Sequence, residues 1–187
     1  MTCSSRFTTF FLGFMVLFSV SAVSSPVWAA SAAKIDKKVN EALRTFRNEV
    51  SSGDELIAQA KGVLIFPKVY KAGIGIGGEY GEGALRIRGK TVGYYSTASA
   101  SIGFQLGVQS KIVIIMFMAD DALNRFRRSE GWEVGVDGSV ALVDVGVGGS
   151  IDTTNIRKPV IGFVIGQKGL MYNLTLEGSK ITKLDKK

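Results

Sequence analysis

The chain has 187 residues, with 23 basic and 16 acidic side chains for a net charge of +7, no histidine, and one cysteine, Cys3. Without histidine there is no Ser–His or Cys–His nucleophile, and one N-terminal thiol supplies neither a zinc or haem site nor an internal disulfide. The positive charge favours anionic partners such as lipid headgroups, polyanions or acidic proteins, or serves solubility alone.

Residues 1–29 read as an export signal. Arg6 is the positive n-region, residues 10–20 are apolar apart from Gly13 and Ser19, and Val27, Trp28 and Ala29 suit cleavage between Ala29 and Ala30. The apolar core is shorter than the roughly 20 residues that span a bilayer; a retained anchor is the alternative. Cys3 precedes this core and is no lipobox cysteine. Cleavage removes Arg6 alone among the charged residues, so residues 30–187 stay basic and form a single expected domain, exported and periplasmic.

Residues 32–50 carry Ile35, Val39, Ala42, Leu43, Phe46 and Val50 at helical spacing, with Ser31 as N-cap. Lys34, Lys37, Lys38, Arg44 and Arg47 occupy or flank the other side. Residues 51–54 end this helix and cap a short second one over 55–60.

From Lys61 the apolar period becomes two. Residues 63–66 read as a buried strand ended by Pro67. A literal G-x-G-x-x-G at Gly73, Gly75 and Gly78 follows, but no helical period comes after it, so it reads as a glycine-faced strand and not as a nucleotide loop. Residues 72–80 and 84–88 are expected to form a glycine-rich pair. Strands are expected at 91–98 and 101–109, and at 112–118, whose continuous apolar run requires cover on both faces. Asp120 is expected to cap a helix over 120–128 with Ala122, Leu123 and Phe126 inward. Further strands are expected at 132–136, 140–147, 159–165 and 170–176, with turns at 166–169 and at Gly178–Ser179 and a polar loop over 152–158. The fold class is α+β: an N-terminal amphipathic helix, a strongly curved, largely antiparallel sheet or partial barrel, and one further helix near 120–128.

No catalytic or metal-binding residues and no cofactor are expected. Ser31 and Lys34 match S-x-x-K, but its partner motifs are missing and a helix cap explains the serine. Glu79 and Glu82 read as turn residues on a solvent edge, and Asp120 and Asp121 as complements to a helix dipole. Asp137 and Gly138 supply too few oxygens for a calcium loop, and the sequon at Asn173 falls in strand-like sequence. An outer-membrane barrel is opposed by the apolar run at 112–118 and by the helices. Nucleic acid is not expected, because the aromatics are not interleaved with basic residues. The basic face of 32–50, extended by Lys68 and Lys71, has the composition of a lipid-interface helix, and equally that of a core-facing helix with a solvated side.

The order of blocks carries more. Residues 60–67, the glycine run 71–78, Gly81, Glu82 and Gly83, the alternation 101–109, the run 112–118, Ala122, Leu123 and Phe126, then Lys168, Gly169 and Leu170 and finally Leu176, Glu177 and Gly178 together resemble the SYLF domain family. That resemblance implies a lipid-binding module. Eukaryotic members bind phosphoinositides, fungal ones also associate with actin, and bacterial ones are exported proteins expected to bind phospholipid; actin does not fit a bacterial envelope. Two stretches depart from the family: residues 94–98 replace a tryptophan–serine–proline stretch, and 171–175 replace a small-residue run, so headgroup selectivity is not carried over. The expectation is a non-catalytic protein that binds anionic phospholipid membranes through Lys34, Lys37, Lys38, Arg44, Arg47, Lys68 and Lys71. The alternatives are a carrier of an apolar ligand inside the curved sheet, with Gly75, Gly77, Gly103 and Gly107 making room, and an envelope module that binds a protein partner.

Overall fold

A long antiparallel hairpin organises the molecule. The computed structural model describes residues 31–145, 158–166, 176 and 178–186, with backbone alone at 73–76, 101–108 and 144. The export signal expected over residues 1–29, all but the last residue of the polar loop expected at 152–158, and all but the last residue of the strand expected at 170–176 lie outside the described residues.

Helix α1 spans Ala32–Glu49, and the Ser31 hydroxyl accepts the Lys34 N–H at 3.4 Å. Its apolar residues Ile35, Val39, Ala42, Leu43 and Phe46 are all buried. Helix α2, Gly53–Gln59, follows after a tight connection, and Arg47 Nε donates to Asp54 Oδ1 at 2.7 Å across it.

Strand β1 runs from Gly62 to Ile87 and β2 from Lys90 to Phe117, paired antiparallel from Gly62 opposite Phe117 to Ile87 opposite Lys90. Arg88 (φ 50°) and Gly89 (φ 77°) form the two-residue turn, both in the left-handed region that tight hairpin turns require. Pro67 therefore does not end a strand. It sits in a register irregularity between Phe66 and Val69, where the ladder makes no use of the amide hydrogen that proline lacks. Nor do residues 72–80 and 84–88 pair with each other. They are successive parts of β1, and the G-x-G-x-x-G lies inside it, with Gly73 opposite Gly107 and Gly75 opposite Gly103.

A strand of this length would reach about 85 Å if straight, well beyond the breadth of a small domain. It curls back on itself instead. A Cβ on Gly83 would fall on the Ile65 carbonyl oxygen and 2.7 Å from Phe66 Cδ1, and one on Gly81 would stand 2.8 Å from the Lys68 oxygen. These glycines let the second half of β1 lie against its first half. Further irregularities between Gly73 and Gly75 and between Leu85 and Arg86 add local bend.

The far edge of β2 is shared. Residues 94–98 pair with β6, Lys180–Leu184, and 112–117 pair with β5, Val160–Ile165. The short β3, Trp132–Glu133, extends β6, and β4, Ala141–Asp144, joins β5 in parallel. The described strands thus order as β3-β6-β2-β5-β4 with β1 on β2, a curved sheet in which β4 and β5 are the one parallel pair of strands among the described residues. Strand β6 was not among the expected elements, and β3 is shorter than the expected 132–136 because Gly135 (φ 92°) turns the chain and leaves Val136 exposed.

Two apolar cores flank the sheet. Inside the curl, Leu64, Phe66, Leu85, Tyr95, Val113, Ile115 and Phe117 meet Phe126 of helix α3, Asp120–Arg128. The rings of Phe117 and Phe126 are 4.8 Å apart, and Trp132 stands edge-on to Phe126 at 5.7 Å. On the other side, Ile65, Ile114, Met116, Ile161 and Phe163 receive the apolar face of α1, with Phe46 edge-on to Phe163 at 5.0 Å. Residues 113–117 alternate between the two cores, the cover on both faces that their unbroken apolar run demands. The N-cap of α3 is Ala119 and makes no side-chain cap bond. Asp120 and Asp121 lie in the first turn, where they complement the helix dipole.

Candidate functional site: a basic helix face and an enclosed charge cluster

The sequence leaves open whether α1 inserts into lipid or packs on the sheet. It packs: Val39 and Phe46 have no exposed surface. A polar network fixes its roll on the sheet. Asp36 accepts from the Thr91 hydroxyl at 2.7 Å and from the Tyr94 hydroxyl at 2.8 Å, and Arg86 Nη1 donates to Asn40 Oδ1 at 2.7 Å. Burial raises the Tyr94 pKa above that of an ordinary tyrosine, and the bond to Asp36 adds to the rise.

Held this way, α1 turns Lys34, Lys37, Arg44 and Arg47 to solvent, with Lys38 half-buried at the flank. Lys34, Lys37 and Arg44 fall on one stripe by helical spacing, together with Glu41. Among the described residues, Lys34, Lys37, Lys38 and Arg44 enter no salt bridge; Arg47 is held by Asp54. Lys68 is exposed at the β1 irregularity with its ammonium 4.9 Å from the Tyr70 ring centre. It shares an open groove of about 510 Å³ with Thr45 and Glu49 of α1, so it continues the helix's surface past its C-terminal end.

Lys71 does not belong to this surface. It shares a strand face with Val69, two residues earlier, and so points into the curl; its side chain is 11 % exposed and its ammonium lies 3.5 Å from Glu79 Oε1. Lys111, opposite Val69 in the ladder, points the same way and holds Glu79 Oε2 at 2.8 Å. Glu79 is accordingly no solvent-edge turn residue: curling of β1 carries its side chain, 8 % exposed, between two lysines. Nor is Glu82 at a turn. It lies mid-strand, partly buried, accepting from the Tyr80 hydroxyl at 3.1 Å and pairing with Lys186 at 3.2 Å. Sequence reasoning missed the cluster because Lys71 and Glu79 face one another only across the curl. Their even spacing, which puts both on one strand face, was the available signal.

Among the described residues, no group of three acidic or other ligating side chains is placed to hold a metal ion. None of the helices in the described residues is long and apolar enough to cross a membrane. The inside of the curl between Leu64 and Phe117 is filled with packed side chains, which gives the apolar-carrier reading no support there.

The family described as "Ysc84: Las17-binding protein actin regulator" matches residues 98–187, from the middle of β2 to the end of the chain. No curated protein matches the chain. The residues that resemble the SYLF family before this span, 60–67 and 71–83, lie in or next to β1, which is paired to β2 along its length. The match over residues 98–187, just under half of the chain, is consistent with the resemblance to the SYLF domain family.

Proposed function

We propose that this protein is a non-catalytic binding domain of the bacterial envelope that docks on anionic phospholipid membranes through the outer face of α1, with Lys68 at its edge. The observation that carries the reading is that α1 spends its apolar stripe on the sheet and leaves cations outward, four of them without a salt bridge among the described residues. Docking is then electrostatic and peripheral. Each Lys or Arg near an anionic leaflet contributes about 1 kcal/mol. Asp36, Glu41 and Glu49 on the same helix offset part of this, so the attraction is moderate and sensitive to salt. The apolar N-terminal segment with its small-residue cleavage pattern supports an exported location.

Cosedimentation with vesicles tests the reading. The protein should pellet with phosphatidylglycerol vesicles, not with phosphatidylcholine ones, and should release as salt rises. Replacing Lys34, Lys37 and Lys38 together by Glu removes three attractions and adds three repulsions, about 6 kcal/mol at most, and should abolish pelleting. Arg125→Glu with Arg128→Glu on α3 changes net charge elsewhere and should have little effect. Equal loss in both variants would reduce the patch to general charge and defeat the reading.

A further inference from the structure

The cluster inside the curl is unbalanced. Lys71 and Lys111 share one carboxylate, Glu79, and no second acid among the described residues lies within salt-bridge reach of either. All three side chains are about nine-tenths buried, so water screens the surplus positive charge poorly. The two contacts are unequal: Lys111 is close at 2.8 Å, whereas Lys71 is looser at 3.5 Å, with hydrogen-bonding capacity to spare. A partly open cavity of about 10 Å³ lies beside them, lined by Val69, Lys71, Gln109, Ser110 and Lys111. That is room for roughly one water-sized atom. Lys71, Lys111 and Gln109, on the inner face of the strands, bring two ammonium groups and an amide to this lining, three groups that can donate hydrogen bonds, and the lining includes no carboxylate.

The geometry points to an anion site inside the curl, where Lys71 and Lys111, with Gln109 beside them, hold one oxygen of a phosphate group and neutralise the charge that Glu79 leaves over. The phosphate is either free or the exposed end of a phosphomonoester headgroup. The two lysines point to the face of β1 and β2 opposite to α1's packing surface; residues 109–111 also border the groove that Lys68 shares with α1, so the test below separates the two surfaces.

The experiment uses inorganic phosphate with the whole protein. Phosphate should raise Tm in a dose-dependent way beyond sodium chloride of equal ionic strength. Lys71→Met leaves Lys111 and Glu79 as a balanced pair, so this variant should fold and lose the phosphate-specific shift; Lys71→Arg should keep it. Vesicles of phosphatidylcholine with and without phosphatidic acid separate the sources. Weaker capture of Lys71→Met than of the native chain on phosphatidic acid identifies a headgroup. Equal capture with a lost thermal shift identifies free phosphate. A native protein that responds to phosphate no more than to chloride, or a Lys71→Met variant that responds as the native one does, overturns the site. Should Lys71→Met not fold, titration calorimetry of the native protein with phosphate decides alone: no saturable binding overturns it. The Lys34, Lys37 and Lys38 charge reversals should leave the phosphate shift intact, which keeps this inference separable from the docking of α1.

Discussion

Gly83→Ala is the sharpest test of the curl. A methyl at this position would meet the Ile65 carbonyl oxygen, the Ile65 carbon at 2.8 Å and Phe66 Cδ1 at 2.7 Å. Phe66 could rotate, but it has no exposed surface and fills the inner core, and the Ile65 backbone is fixed by the ladder with β2. Relief therefore requires the two passes of β1 to separate. Overpacking of a closed core costs about 1–3 kcal/mol, and contact with backbone belongs at the upper end. Against this, Ala is preferred over Gly in a strand interior by about 0.5–1 kcal/mol. The expected net loss is about 2 kcal/mol. In urea this moves the midpoint down by about 1 M, given slopes of about 1–3 kcal/mol/M. Gly78→Ala is the matched control. It lies in the same strand, and its nearest prospective neighbour is the Ser99 oxygen at 3.4 Å, an ordinary contact. That variant should be neutral or slightly stabilised. If the two variants unfold at the same urea concentration, β1 does not fold back on residues 65–69 and the account of the curl is wrong.

Three more outcomes follow from the same contacts. Phe46→Ala removes the ring that meets Phe163 edge-on and should cost about 3–5 kcal/mol by thermal unfolding; a loss under 1 kcal/mol would mean that α1 is not seated on the sheet. Glu79→Leu leaves two buried ammonium groups without their counter-charge and should lower stability by about 3–5 kcal/mol, whereas adding Lys71→Met and Lys111→Met should recover most of it; no recovery in the triple variant would show that the cost is not electrostatic. Burial raises the pKa of Tyr94, Tyr95 and Tyr80 above 10.0, reinforced by Asp36 at Tyr94 and by Glu82 at Tyr80, and opposed by Arg127 at Tyr95. A raised native pKa binds the proton more tightly in the folded state, so this stabilisation is whole below pH 10.0 and is lost as pH climbs through the native values. Denaturation with tyrosinate absorbance as readout should show stability falling as pH rises on the alkaline side, and less steeply in Tyr95→Phe.

What was legible in the sequence was local. Residues 32–49 announce a helix because their apolar side chains recur every three or four positions and Ser31 offers a cap. The run at 112–118 announces burial on both faces because it never alternates with polar residues. The glycine series announces a bare strand face and no phosphate loop, since no helical period follows it. Charge and the missing histidine excluded much chemistry before any fold was known. The continuity of β1 through Pro67 was not legible, because a proline costs a ladder only where its missing N–H would be used, and the register irregularity there decided that it was not. The place of Lys71 and Glu79 was not legible either. Both read as exposed by type, and both are enclosed because a strand too long to lie straight closes on itself at Gly81 and Gly83. Periodicity reports which face of an element a residue occupies. Only the path of that element through space decides whether the face meets solvent, a partner helix, or the strand's own other half.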